Sequence, residues 1–224
     1  SYADLAQTKG RRTQASTRAE SAPLMAARTV RIAPVTFAGD AQSNATPAQL
    51  ALIANAMERT LCKDLSARFD IVTGSDMADL TVRTAITRIK PTNAAAAALS
   101  RAVSLAVPAP RLPVGLGGFA AEAEAMGPQG NQVAAMIWSR DADLSGAGRA
   151  SSIGDAYELS ARFAHDLARL MVPGKDRADR KPRGRDEPVN AACALYGAGP
   201  GLSGVVAGLF GAPPEWTDRP RPRL

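Results

Sequence analysis

Two stretches of the chain carry apolar residues at the three- and four-residue spacing of an amphipathic helix. The first follows Thr46-Pro47, where Thr suits the N-cap and Pro the first helical position. The second begins near Asp155, which forms a capping-box pattern with Glu158, and Pro173-Gly174 stops it. The two apolar stripes are Leu50, Ile53, Ala54, Met57, Leu61 and Leu65, and then Ala156, Leu159, Phe163, Leu167, Leu170 and Met171. The pattern predicts two helices that each bury one face.

Segments of a different period surround these helices and predict strands. Residues 29–35 and 69–72 are short apolar segments, whereas residues 78–90 alternate apolar and polar side chains. Such alternation is typical of a half-buried strand with one face in water. Residues 119–126 and 132–138 flank the turn sequence GPQGN, which predicts an antiparallel hairpin.

The order strand, helix, short strand, strand, hairpin, helix predicts an α+β fold. We expect a two-layer sandwich in which two amphipathic helices cover one face of a mostly antiparallel sheet. Long irregular arms are expected at both ends. The predicted units are an extended N-terminal arm (1–28), the α+β domain (29–173), a charged linker (174–190) and a Gly/Pro-rich apolar C-terminal arm (191–224). Inside the domain, residues 91–118 are expected to form a long loop with a short helix near 94–103.

The formal net charge is +6 and the sequence pI is about 9.8, and most of the basic residues lie in the predicted arms and linker. They are Lys9, Arg11, Arg12, Arg18, Lys175, Arg177, Arg180, Lys181, Arg183, Arg185, Arg219, Arg221 and Arg223. Solvated tails and an anionic membrane surface or partner are both consistent with this distribution. Aromatic residues do not interleave with the basic ones, as a single-strand binder requires, so we expect no nucleic acid partner.

The chain contains two cysteines, Cys62 on the first predicted helix and Cys193 in the C-terminal arm. Neither belongs to a C-x-x-C motif or lies near a histidine, so no metal site is expected. An even pair fits one disulfide in an oxidising compartment, which would pin the arm to the domain. Two unrelated buried thiols are the alternative, and the sequence leaves both open.

A transmembrane helix and a signal peptide are not expected from this sequence. The longest uncharged run, residues 189–214, is long enough to span a bilayer but contains many Gly and Pro residues, which argue against a spanning helix. The chain starts at Ser1 without a methionine, which is compatible with a processed start.

The stretch from about Ala27 to Met171 resembles a bacterial family of predicted lipoproteins, domain of unknown function 3313. The likeness lies in the segments TVRIAPVTFAG, QLALIANAMERTLCKDL, FAAEAEAMGPQGNQVAAMIWSRDA and DAYELSARFAHDLARLM. The resemblance implies secretion to the cell envelope and lipid attachment at an N-terminal cysteine, which this sequence lacks. It also implies a fold like that of small periplasmic domains in secretion, transport or motor assemblies, and it brings no catalytic residues.

Candidate chemistry is sparse along the chain. His165 shares a helix face with charged residues, opposite the apolar stripe, so we expect a solvated histidine and no triad. Glu122 and Glu124 lie two apart on a strand and therefore share its wet face. The glycines of residues 115–118 do not open a helix after a strand, so they do not form a phosphate loop. We expect no cofactor and no catalytic site.

The C-terminal arm is the candidate binding element. A free arm of this composition would expose apolar surface, which soluble monomers avoid, so it should dock on its own domain, a second subunit or another partner. The expected contact residues are Leu195, Tyr196, Val205, Leu209, Phe210 and Trp216, and Leu202 and Val206 also belong to the apolar arm. Trp138, in contrast, ends the hairpin and suits either the core or an interface.

The first functional hypothesis is a non-enzymatic envelope accessory or structural protein, a lipoprotein subunit of an assembly that uses its arms for subunit contacts. Its partners would be other envelope proteins, or further copies of the chain, at the periplasmic side of the outer membrane. The alternative is a periplasmic carrier or sensor of a small apolar or anionic ligand. In that case the sheet face near Arg83 and residues 122–124 would be the floor of the site.

Overall fold

The computed structural model describes residues 5–9, 13–39, 41, 44–74, 77–95, 116–143, 149–172, 191–197 and 199–219. The predicted linker 174–190 and most of the short helix expected near 94–103 lie outside these residues. The statements on structure below concern the described residues.

The chain forms an α+β fold, as the sequence predicts. The strands are β1 (Ala6–Lys9), β2 (Thr13–Ala19), β3 (Thr29–Ile32), β4 (Thr36–Phe37), β5 (Asp70–Ile71), β6 (Leu80–Lys90), β7 (Gly118–Met126) and β8 (Gln132–Asp141). The helices are α1 (Ser21–Ala26), α2 (Pro47–Leu65), α3 (Gly154–Met171), a 3₁₀ helix (Ala191–Tyr196), α4 (Gly201–Leu209) and α5 (Pro214–Thr217).

All eight strands belong to one sheet, in the order β1-β2-β8-β7-β6-β3-β5, with β4 also paired to β6. β7 pairs antiparallel with both β6 and β8, and β2 pairs antiparallel with both β1 and β8. The short strands β3, β4 and β5 pair in parallel, because the helix α2 returns the chain to the same end of the sheet.

The first long helix begins where the sequence predicts. Thr46 is the N-cap of α2, and its hydroxyl accepts a hydrogen bond from the Gln49 backbone N–H at 3.3 Å. The Gln49 side-chain oxygen accepts the Thr46 backbone N–H at 3.0 Å, which completes a capping box. The capping box therefore fixes the residue at which α2 begins, and with it the residues of the apolar stripe that face the sheet.

The capping box predicted for the second long helix is wrong. Ile153 is the N-cap of α3, and no side chain caps it. Asp155 already lies inside the helix, where its buried carboxylate accepts hydrogen bonds from the Thr92 hydroxyl at 2.9 Å and the Gly117 N–H at 2.8 Å. The carboxylate thus ties α3 to the segments beside β6 and β7, a tertiary role that a local sequence pattern does not reveal.

The N-terminal residues differ from the extended arm expected over residues 1–28. β2 pairs residue by residue with β8, from Thr13 opposite Arg140 to Ala19 opposite Ala134, and β1 then pairs with β2. Most side chains of β2 are half-buried on both faces, so the strand has no apolar face that a periodicity search would detect. Backbone pairing near the sheet margin is enough to place such a polar strand.

The core lies between the sheet and the helices α2 and α3. Three aromatic rings mark its centre, with centroids 6.2 Å apart for Phe119 and Trp138, 5.9 Å for Trp138 and Phe163, and 6.4 Å for Phe119 and Phe163. Trp138 is 1% exposed and its indole N–H donates to Asp166 Oδ2 at 3.0 Å, so Trp138 is a core residue. The alanines Ala121, Ala123 and Ala125 on β7 are buried, and their small size lets α3 approach the sheet closely.

No helix in the described part of the chain is long and apolar enough to cross a membrane.

Truncation of the central aromatic ring should destabilise the fold. We expect Phe163→Ala to lower the free energy of unfolding by about 3–5 kcal/mol, because it removes a fully buried ring and leaves a cavity. Urea denaturation followed by circular dichroism measures the change. Met77→Ala is the matched control, since Met77 is 89% exposed and its truncation should cost less than about 0.5 kcal/mol. Equal losses for the two variants would contradict this placement of the core.

Candidate interaction surface

A disulfide ties the C-terminal segment to the helical layer. Cys62 on α2 is bonded to Cys193 in the 3₁₀ helix, with an S–S distance of 1.99 Å and a Cα–Cα distance of 5.7 Å. The structure thus contains the first of the two arrangements that the sequence leaves open. Both cysteines are buried, and the bond joins residues 131 positions apart. The segment 191–219 is therefore held covalently against the domain.

A buried ion pair makes the second attachment. The Asp218 carboxylate is 2% exposed and pairs with the Arg59 guanidinium from α2. The Tyr157 hydroxyl on α3 donates to the same carboxylate oxygen at 2.6 Å. Burial, together with the hydrogen bond to Asp218 and its negative charge, raises the pKa of Tyr157 far above its usual value. The Asp218 side chain thus binds one side chain from each of the two long helices, Arg59 on α2 and Tyr157 on α3.

A third attachment surrounds α5. The Arg149 guanidinium donates to the Ala212 carbonyl at 3.2 Å and to the Thr217 hydroxyl at 3.3 Å. The Glu215 carboxylate accepts from the Gln49 amide at 2.8 Å and from the Ser151 hydroxyl at 2.7 Å. These bonds connect the segment to the start of α2 and to the loop that precedes α3, so polar contacts dominate the docking.

Glycines form the inner face of α4. A Cβ added at Gly208 would lie 2.3 Å from an Arg149 guanidinium nitrogen, and one at Gly204 would lie 2.7 Å from the Thr217 carbonyl oxygen. No larger residue fits at either position without displacement of these groups. Because α4 presents only backbone to Thr217 and Arg149 at these two positions, its large side chains lie on the opposite, exposed face.

Large apolar side chains are exposed on α4, the turn after it and α5, and we call this set the C-terminal apolar surface. Its members and their exposed fractions are Leu202 (83%), Val205 (47%), Val206 (46%), Leu209 (59%), Phe210 (61%) and Trp216 (82%). The segment docks on its own domain, yet the apolar residues expected to make that contact remain largely in solvent.

Two of the predicted contact residues lie elsewhere. Tyr196 faces its own domain, where its hydroxyl donates to the Ile32 carbonyl at 3.4 Å. Burial, reinforced by the negative charge of Glu58, raises the pKa of Tyr196 to about 12. Leu195 lies on the 3₁₀ helix and is 49% exposed, outside the C-terminal apolar surface.

The second region that the sequence singles out is the open face of the sheet. Arg83 and Glu124 face each other across β6 and β7, with a closest nitrogen–oxygen distance of 3.6 Å. The other Glu124 oxygen accepts from the Gln132 amide at 3.0 Å, and the Gln132 amide oxygen accepts from Arg18 at 2.7 Å. These residues form a polar row beside a shallow cleft of about 370 Å³ that Arg83, Glu122 and Glu124 line.

The single histidine and the metal-ligating residue types can be located in the described part of the chain. His165 is half-exposed and hydrogen-bonds to the Asp64 carboxylate across α2 and α3. Among the described side chains, no three His, Cys, Asp or Glu residues converge as metal ligands would.

The residues that attach the C-terminal segment, Arg59, Arg149, Tyr157 and Asp218, were missed by the sequence reasoning. A usable signal existed, because Asp218 is one of two acidic residues in the otherwise apolar and basic residues 191–224. An isolated acid of this kind often has a buried basic partner.

Loss of the Asp218 carboxylate should destabilise the protein strongly. We expect Asp218→Ala to cost about 3–5 kcal/mol, because it leaves the Arg59 guanidinium, whose side chain is 15% exposed, without a counter-ion. The combined Arg59→Leu, Asp218→Leu variant should lose less than the sum of the two single leucine variants, since it leaves neither charge behind. Urea denaturation measures all of these losses. Strict additivity would show that the two residues do not interact.

The two buried tyrosines should make the protein sensitive to alkaline pH. The pKa of each hydroxyl is higher in the folded than in the unfolded state, so the folded state holds its proton more tightly. The stabilisation is complete below about pH 10, the pKa of an unfolded tyrosine, and is lost as the pH rises toward about 12. Urea denaturation at several alkaline pH values should show this decline, and Tyr157→Phe with Tyr196→Phe should flatten it. An unchanged slope in that double variant would contradict the assignment.

Comparison with known proteins gives a family and remote structural likenesses. The sequence profile of the family described as "Protein of unknown function (DUF3313)" matches residues 1–167, a span that ends before the C-terminal segment. A PelC dodecamer from Paraburkholderia phytofirmans is 12% identical and aligns with 72% of this chain and 99% of its own, with a TM-score of 0.44. A DUF4136 family protein from Bacteroides thetaiotaomicron is 7% identical over 73% of this chain and 99% of its own, with a TM-score of 0.40. No curated protein sequence is significantly similar to this chain.

Proposed function

This chain belongs to the DUF3313 family of proteins of unknown function, and from that premise we propose that it is a non-enzymatic accessory protein of the bacterial cell envelope. In this proposal it is a lipoprotein subunit of a multi-protein assembly on the periplasmic side of the outer membrane. The folded domain is its rigid body, and the C-terminal segment positions it among the other components.

The observation that carries the proposal is the C-terminal apolar surface. Six large apolar side chains are exposed on a segment that a disulfide, a buried ion pair and several hydrogen bonds hold in place. Soluble proteins rarely maintain such a surface unless something covers it. Because the segment is already ordered, a partner does not have to order it on binding.

The disulfide supports the proposed compartment. A disulfide between residues 131 positions apart persists in an oxidising environment and is rare in the reducing cytosol of mesophiles. This favours the periplasm. Attachment to the membrane through a lipidated cysteine is what the family resemblance implies.

A role without catalysis agrees with how the charged groups are used. The buried carboxylates of Asp155 and Asp218 stabilise the contacts between elements, and His165 pairs with Asp64 at the surface. Each of these groups has a structural partner. A reactive group in an active site, in contrast, typically faces a cleft with its pKa shifted for its task.

The carrier function remains a second candidate, because the open sheet face contains the cleft beside Arg83, Glu122 and Glu124. Its volume of about 370 Å³ lies within the range of small-molecule sites. The cleft is shallow, however, and its Arg83–Glu124 pair is already satisfied internally. We therefore rank it below the assembly role.

The mass of the protein, extracted with mild detergent from its native membranes, tests the proposal. We expect a complex of defined composition that is much larger than the 23.3 kDa chain, with co-purifying proteins that mass spectrometry can identify. The double variant Leu202→Ser, Trp216→Ser should reduce the amount of complex recovered, because it removes the two most exposed apolar side chains of the C-terminal apolar surface.

The control for this experiment is a variant of the cleft, Arg83→Ala with Glu122→Ala. It should leave the complex intact if the protein is an assembly subunit. Recovery of a lone monomer would overturn the assembly proposal, and a co-purified small molecule lost in the cleft variant would establish the carrier function instead.

A further inference from the structure

We propose that the C-terminal apolar surface docks on a membrane leaflet that contains anionic phospholipids, with α4 lying in the interface and Arg219 at the lipid phosphates. This inference deepens the proposed function by naming the partner of the same surface. The membrane-docking inference can fail while the proposed function stands, because the vesicle experiment measures binding to pure lipid and requires no other protein.

The shape of the surface suits a lipid interface. α4 has nine residues, far fewer than the roughly 20 that a membrane-spanning helix requires, and none of them is charged. Its inner face consists of Gly204, packed against Thr217 of α5, and Gly208, packed against Arg149 of the domain, so its large side chains lie together on the exposed face. A short helix that presents an apolar face and is backed by a polar body can insert that face to the depth of the headgroup boundary.

The acidic side chains of the segment face the domain, whereas the basic side chain of Arg219 faces solvent. The two acidic residues of residues 191–224 both turn inward, since Asp218 is buried against Arg59 and Glu215 bonds to Gln49 and Ser151. Arg219, in contrast, is exposed directly beside α5, and the sequence continues with Arg221 and Arg223. A partner therefore meets apolar side chains and positive charge, which is the complement of an anionic leaflet.

Trp216 adds a third argument. It is 82% exposed on α5, a helix that contacts α4, and it lies three residues before Arg219. Tryptophan concentrates at membrane interfaces because its ring is apolar while its N–H remains able to bond to polar groups. A protein groove that binds a helix usually contacts a single apolar stripe, and polar residues flank that stripe. Here the surface spreads over two short helices and the turn between them.

Binding of the purified full chain, with its disulfide intact, to vesicles tests the proposal. We expect the protein to float with vesicles of phosphatidylcholine and phosphatidylglycerol, and to bind much more weakly to phosphatidylcholine alone. The emission of Trp216 should shift to the blue on binding, whereas Trp138, at 1% exposure, already lies in the core and provides a constant background. Trp216→Phe should abolish the shift.

Three variants separate the contribution of the apolar side chains to vesicle binding from that of the arginines. Leu209→Ser with Phe210→Ser should weaken binding at least about tenfold, because two inserted side chains are lost. Arg219→Gln with Arg221→Gln and Arg223→Gln should reduce the preference for phosphatidylglycerol several-fold and make binding less sensitive to salt. Met77→Ser removes an apolar side chain that is 89% exposed but remote in sequence from the surface, and it should bind as the unmodified chain does.

Three results would overturn the inference. They are no binding to either vesicle, equal loss of binding in Met77→Ser and the α4 variant, or a wild-type chain that binds both vesicles equally. If the vesicles do not bind but the native complex still depends on Leu202 and Trp216, the partner of this surface is a protein and the proposed function stands. Since the side chains of Met77, Leu209, Phe210, Trp216 and Arg219 are exposed, unchanged thermal unfolding should show that each variant is folded.

Discussion

The arrangement of this protein depends on the burial of one carboxylate. Asp218 lies at the far end of the chain, yet it is enclosed between Arg59 on α2 and Tyr157 on α3. A charge can remain buried only when its partners are in place, so this contact sets where the C-terminal segment must lie. The disulfide between Cys62 and Cys193 restrains the other end of the same segment. Between these two points the chain has little freedom, and the orientation of α4 follows from both.

That constraint explains how an apolar segment can remain exposed without collapsing onto the domain. Docking through Arg59, Arg149 and Gln49 occupies the polar atoms on the side of the domain that the segment covers. The close approach requires glycine at positions 204 and 208, and glycine contributes no side chain to bury. The apolar side chains of the segment are therefore displaced to the outside. The same contacts that stabilise the fold thus create the surface that we assign to the membrane.

The domain beneath is held together by close packing and by hydrogen bonds between its elements. Three aromatic rings at its centre pack among alanines and aliphatic side chains, and the buried side chains of Trp138 and Asp155 bond to residues of other elements. The open face of the sheet carries a row of paired charges and amides from Arg18 to Arg83. Most of the large apolar side chains that are exposed in the described residues lie instead on the C-terminal segment.

The sequence by itself determined the fold class, the two long helices, the hairpin and the apolar character of the C-terminal segment, because each of these has a local period, a cap or a composition that one chain displays. It did not determine the strand β2, whose polar residues are placed by backbone pairing with β8. It misplaced the role of Asp155, and it left open whether Cys62 and Cys193 are bonded. Nor did it place Tyr196 against its own domain while Trp216 faces solvent. These features were decided by the tertiary structure, since each depends on a partner distant in sequence, and only the folded chain brings the two together.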